Sequence, residues 1–148
     1  MTKLPVSVLV VVHTPALEVL LLERAGRPGF WQSVTGSLDR MDELPEAAAA
    51  RELEEETGLA SATGRLGAWN VSNTFEIYAQ WRHRFTPGTV YNTEHVFGFC
   101  LPERAPVRLA AGEHTAFLWL PWHAAAERCF SWTNRDAIRM LGEGAVLS

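Results

Sequence analysis

The chain has 148 residues, enough for one domain, and 47% of them are hydrophobic, which supplies a core and excludes a disordered chain. The formal net charge of −4 argues against a nucleic-acid scaffold, which usually shows a basic face. A nucleotide-like substrate stays open, because metal ions can bring positive charge locally.

In chain order, Pro5 to His13 is rich in valine and predicts a buried strand. Leu17 to Glu23 predicts a second, and the short Pro15-Ala16 connection suggests a hairpin. The apolar run Val8 to Val12 is far shorter than the ~20 residues of a membrane span, and no small-residue cleavage site follows it. No signal peptide and a cytoplasmic location are therefore expected. A Gly/Pro-rich stretch, Gly26 to Gly29, breaks the pattern before Phe30-Trp31-Gln32-Ser33-Val34-Thr35-Gly36. From Glu43 to Thr57 the composition turns to alanine, leucine and glutamate and predicts a helix. Asp42 is placed as its N-cap, Pro45 in its first turn, and Gly58 as its left-handed stop.

Strand-like segments follow at about Arg65 to Val71, Thr74 to Phe85, Glu94 to Leu101 and Ala116 to Leu120. Two short helices, about Trp122 to Cys129 and Thr133 to Leu141, close the chain, with Trp132 to Asp136 resembling a capped helix start. Cys100 and Cys129 have no CxxC or metal-ligand spacing and read as reduced, packed thiols. No repeat or linker divides residues 1–148, so one α/β layered domain is expected.

The sharpest feature is Arg51-Glu52-Leu53-Glu54-Glu55-Glu56-Thr57-Gly58-Leu59. At about 100° per residue, Glu52, Glu55 and Glu56 share one helical face, with Glu54 turned away. Such a cluster is either a solvated acidic face relieved by Arg51, or a cage for Mg²⁺ or Mn²⁺, which prefer hard oxygen ligands. Its context is a glycine loop at Thr35-Gly36-Ser37, then Glu43, seven residues, and Arg51-Glu52.

On these residues the stretch Gly36 to Leu59 resembles the Nudix box: G, five residues, E, seven residues, then R-E-apolar-x-E-E-x-G-apolar. Arg51, Glu52, Leu53, Glu55, Glu56, Gly58 and Leu59 all match. One departure stands out: six residues, Ser37 to Asp42, separate Gly36 from Glu43. Either the loop carries one extra residue, or Asp42 takes the first acidic position. The first option keeps the helix pattern whole and is preferred. The resemblance implies a Nudix α/β/α sandwich with a mixed sheet, and a Mg²⁺-dependent (or Mn²⁺-dependent) pyrophosphohydrolase with metal on Glu52, Glu55 and Glu56. One of these, or an acidic residue from another loop, would be the general base.

Outside the box, Pro5 to Val11, Phe30 to Ser37, Phe75 to Tyr78, Arg82 to Phe85, Asn92 to Glu94 and Ser131 to Arg135 are similar to the bacterial Nudix hydrolases that act on dihydroneopterin triphosphate. That resemblance implies release of pyrophosphate from a pterin triphosphate in folate synthesis. It implies that Lys3, Arg24 and Thr35 hold the substrate, and that Phe75, Glu76, Ile77 and Tyr78 border the pterin. Ser131 would lie near the same pocket, and Glu113 would join the metal ligands and the catalytic set.

Plainer readings stand beside these. Lys3 and Arg24 can be surface cations, Phe75 and Tyr78 can pack within a strand, and Glu113 can be a loop residue. Arg82-His83-Arg84 can face the triphosphate or form an alternating strand surface. The histidines make no catalytic spacing and read as structural, and the six tryptophans read as core. Two other functions stay open: a Nudix pyrophosphatase for nucleotides such as dATP or 8-oxo-dGTP, and a catalytically silent nucleotide-binding domain. The expected partner is a small-molecule triphosphate, with no nucleic acid, membrane or obligate protein partner.

Overall fold

The computed structural model describes residues 2–146. Its axis is β1 (Val6–His13), which runs parallel to β6 (Tyr91–Cys100) from Val6↔Thr93 to His13↔Cys100. On its other edge β1 is shared. Its first half pairs with β4 (Val34–Ser37), and its end meets β2 (Glu18–Arg24) at His13↔Val19 alone. The expected hairpin therefore opens at its mouth, because β4 wedges in from Val34↔Val10 onward. Beyond, β2 pairs antiparallel with β3 (Trp31–Gln32) and with β7 (His114–Pro121), while β5 (Arg65–Glu76) forms the edge beside β6.

Alternate residues of a strand face opposite sides of its sheet. In β1 this sends Val8, Val10 and Val12 into one core and Leu9 and Val11 into another. The first core is closed by Ala48, Ala49 and Leu53 of α1 (Pro45–Thr57). The second is closed by Ala125 and Ala126 of α2 (Trp122–Arg128) and Ala137, Ile138 and Leu141 of α3 (Trp132–Gly142). A strand buried on both faces reads as a continuous apolar run, which is why Val8 to Val12 lacks alternation. The result is the expected three-layer α/β/α arrangement. Among the described residues no helix is long and apolar enough to cross a membrane.

Three expected elements differ. The N-cap of α1 is Leu44, not Asp42, and carries no side-chain cap bond, whereas Asp42 pairs with Arg40 at 2.9 Å. The segments Arg65 to Val71 and Thr74 to Phe85 are not two strands. A single strand runs to Glu76, with an irregularity between Ala68 and Val71 where Asn70 takes φ 58°. The chain then leaves the sheet and winds into a 3₁₀ turn, Ala79–Arg84, so Arg82 and Arg84 are not strand neighbours.

Candidate active site

The acidic helix is anchored by its own buried side. Ala49, Leu53, Glu56 and Thr57 lie at helical spacing and are buried, so packing of the alanines and Leu53 forces Glu56 inward as well. Gly58 ends the helix at φ 75° and returns its N–H to the Glu54 carbonyl at 2.9 Å. In front of the helix, β4 brings Gly36 against it. A Cβ on Gly36 would meet the Glu52 carboxyl carbon at 2.1 Å, so this position requires glycine for close approach.

Arg51 ties the loop to the helix. Its guanidinium reaches both carboxylate oxygens of Glu43 at 3.1 Å, Glu52 at 2.7 Å, Asp39 at 3.2 Å and the Ser37 carbonyl at 3.2 Å. These bonds, Glu43 first, hold Arg51 charged, and Arg51 in turn holds the Glu43 carboxyl below its usual range. The register of the loop follows directly. Glu43 occupies the first acidic position, and the extra residue is absorbed in the exposed Asp39–Asp42 turn.

Glu52 and Glu56 share a hydrogen bond. Burial, then the neighbouring Glu52 charge, raises the Glu56 carboxyl well above its ordinary range, and burial also raises Glu52. Glu52 is paired with Arg51, so Glu56, the more buried of the two and without a cation of its own, is the carboxyl that favours its proton. Its Oε1 is buried with no hydrogen-bond partner. Glu113 lies across the groove, on the turn before β7, and its charge adds to the pressure on Glu56. Glu55 points elsewhere: its side chain is 56% exposed and leans on Arg51 at 3.6 Å. Among the described residues no three acidic, histidine or cysteine side chains stand together as a ready metal cluster. An orphaned carboxylate oxygen, a shared proton and an all-oxygen donor set nonetheless fit a hard divalent cation, which would replace that proton.

The groove lined by Glu52, Glu56, Glu113, Thr35 and Gly36 runs into a second pocket across Lys3, Arg24 and Arg84. Backbone pairing makes this junction, since Lys3 N–H donates to the Arg84 carbonyl at 2.8 Å. Desolvation first, then Arg84 as a like charge beside each of them, lowers both Lys3 and Arg24. Arg24 also carries a buried Nε without a partner. Clustered, underpaired cations of this kind suit a polyanion. Behind Arg24, His114 accepts from Gln32 at 3.3 Å and is pushed down to about 4 by burial, so it stays neutral, a structural role.

The second pocket is aromatic. Phe75, Ile77, Tyr78, Trp81 and Phe130 line it, with Ser131 at its rim. Trp81 stands edge-on to Tyr78 at 5.3 Å and to Phe130 at 6.2 Å, and Phe130 stacks on Phe30 at 4.7 Å. The guanidiniums of Arg24, Arg27 and Arg84 lie within 5.0–5.9 Å of the Trp81 ring. Its polar wall consists of Ser7, Asn92, Glu94, Thr133 and Asn134.

The structure thus gathers Lys3, Arg24, Thr35, Phe75, Ile77, Tyr78, Ser131, Glu52, Glu56 and Glu113 around one continuous depression. Two expected residues fall outside it. Glu55 sits on Arg51, and Glu76, exposed on the edge strand, pairs with Arg82 at 3.1 Å. Strand alternation explains Glu76: Phe75 and Ile77 point to the pocket, so the residue between them points away. Trp81 and Phe130 were not legible as site residues, while Asn92, Glu94 and Asn134 stood within segments that carry the resemblance but had no role given to them. Trp81 reads as core by composition, and only the 3₁₀ turn carries it to the pocket lip.

A mixed sheet between helices, with a glycine-led acidic helix at its edge, defines the class: the chain belongs to the Nudix family, and a NUDIX domain matches residues 3–141. Within it, the chain is 41% identical over 139 residues to the dihydroneopterin triphosphate diphosphatase of Escherichia coli K12, covering 92% of this chain and 91% of that protein. It is 37% identical over 136 residues to the Haemophilus influenzae protein of the same name, covering 90% and 84%. The solved structure of the E. coli dihydroneopterin triphosphate pyrophosphohydrolase superposes with a TM-score of 0.90 at 38% identity, over 97% of this chain and 99% of that one.

Proposed function

We propose that this chain is a metal-dependent pyrophosphohydrolase that converts dihydroneopterin triphosphate to dihydroneopterin monophosphate and pyrophosphate, a step of folate biosynthesis. One observation carries the reading: an aromatic pocket opens into an acidic groove across three cations, Lys3, Arg24 and Arg84. The likeness to two diphosphatases of that substrate supports it.

The ring enters against Tyr78, Trp81 and Phe130, with Phe75 and Ile77 at its base, and these side chains exclude water from its faces. Lys3, Arg24 and Arg84 receive the phosphates with the Thr35 hydroxyl beside them, and Ser131 stands at the rim of the ring pocket. Glu52, Glu55, Glu56 and Glu113 would hold Mg²⁺ or Mn²⁺, Glu55 by leaving Arg51. A bound divalent ion neutralises phosphate oxygens and acidifies water there. One of the four carboxylates takes the proton of the attacking water as the bond between the α- and β-phosphates breaks. Pyrophosphate leaves from the cationic junction. Free Cys100 and Cys129 fit a reducing, cytoplasmic setting.

The test is product analysis in Mg²⁺. One pyrophosphate and one dihydroneopterin monophosphate per substrate consumed is the expected result. Release of orthophosphate, or no turnover, contradicts it.

A further inference from the structure

Glu94 is a buried carboxylic acid that its surroundings satisfy only in part. It lies on β6, only 4% exposed, on the wall of the aromatic pocket. Among the described residues its Oε1 has no hydrogen-bond partner, and its side chain bonds Thr133 in the first turn of α3. No cation answers it, as one does at Arg51. Around it the polar side chains are already engaged with the frame: Asn92 Nδ2 donates to Ser7 Oγ at 2.7 Å, and Asn134 Oδ1 accepts from the Ser33 N–H at 2.8 Å. A buried carboxylate oxygen without a donor is costly, and such groups persist where a ligand supplies the donor.

The geometry points to Glu94 as the residue that reads the heterocycle, accepting from the ring N–H and the adjacent exocyclic amine of a 2-amino-4-oxopyrimidine edge. This rests on the proposed function for the identity of the substrate and extends it to the basis of selectivity. Pterin and guanine rings both present that pair of donors side by side. Adenine presents a ring-nitrogen acceptor at the corresponding place, which a carboxylate repels, and hypoxanthine lacks the amine. A site built to bond a group rejects analogues without it strongly, because its own polar atom is left unpaired. Burial holds the Glu94 carboxyl up at about 7, so at pH 8 it is mainly ionised and acts as an acceptor.

The experiment compares kcat/KM at pH 8 for dihydroneopterin triphosphate, dGTP, dITP and dATP, in the parent and in Glu94→Gln, with Mg²⁺ present. Nucleotides that are not turned over are read as competitive inhibitors. The parent is expected to favour dGTP over dITP at least tenfold. Glu94→Gln is expected to lower both the pterin-to-dATP and the dGTP-to-dITP ratios at least tenfold, mainly through KM, while dATP is handled as well as by the parent or better. Equal handling of dGTP and dITP by the parent overturns the assignment even if the variant does not fold. So does a uniform fall on all four substrates in Glu94→Gln, which marks a structural role. A parent that prefers dGTP to the pterin would instead sink the proposed function and leave the reading of Glu94 standing.

Discussion

Two influences act on Glu56 in the same direction, burial on the inner face of α1 and closeness to Glu52, and both favour its protonated form. Glu56→Gln preserves the shape and removes the charge that binds and acts. It is expected to lower kcat by about a hundredfold or more with the circular dichroism spectrum unchanged; undiminished activity would remove Glu56 from the metal set. Gly36→Ala probes the same pair from the other side. Its Cβ would collide with the Glu52 carboxylate, 2.1 Å from the carboxyl carbon, so Glu52 must move. At least a tenfold loss in kcat/KM is expected, with a stability cost of about 1–3 kcal/mol. Full activity in that variant would mean that Glu52 is free to serve from another position.

Glu94 makes a prediction about stability and pH. Its folded-state pKa of about 7 lies above its ordinary 4.5, so the folded chain holds the proton longer than the unfolded chain. Stability from this group is complete below 4.5, falls as pH rises through 7, and then levels off. The full span is about 3 kcal/mol. Glu94→Gln removes that loss, so its urea midpoint relative to the parent should improve from pH 5 to pH 8.5. A constant difference across that range would show that Glu94 ionises freely in the fold.

At the scale of elements, what was legible followed local rules. The buried run of β1, the composition of α1 and the Gly58 stop are each dictated within a few residues, and each sits where expected. The carboxylate face was legible for Glu52 and Glu56, but the direction of Glu55 depended on Arg51, whose partners come from a loop more than a turn away. The segment after Glu76 failed for a different reason. Phe75, Ile77 and Trp81 mimic strand spacing, but the chain is turned by long-range contacts: Trp81 packs on Phe130, which follows α2. That turn builds the pocket lip. Trp81→Ala is therefore expected to raise KM for the pterin substrate about tenfold with kcat little changed. A fall in kcat at constant KM would place Trp81 in the chemistry instead of in ring binding.

At the scale of the whole molecule, two half-cores on either side of β1 hold the aromatic pocket and the acidic groove in fixed relation. β4 and α1 carry the groove, while the turn after β5 and the start of α3 carry the pocket. Because the groove is self-repelling without a cation, Mg²⁺ should raise the melting temperature of the parent and do so much less in Glu56→Gln. An equal rise in both would locate the ion elsewhere. This joined site is built for a pterin triphosphate, and the discriminating measurement is kcat/KM for pyrophosphate release in Mg²⁺. A preference of at least about tenfold for dihydroneopterin triphosphate over dATP and 8-oxo-dGTP, roughly 1.4 kcal/mol of transition-state discrimination, is the predicted result. Equal or better turnover of either nucleotide would contradict it.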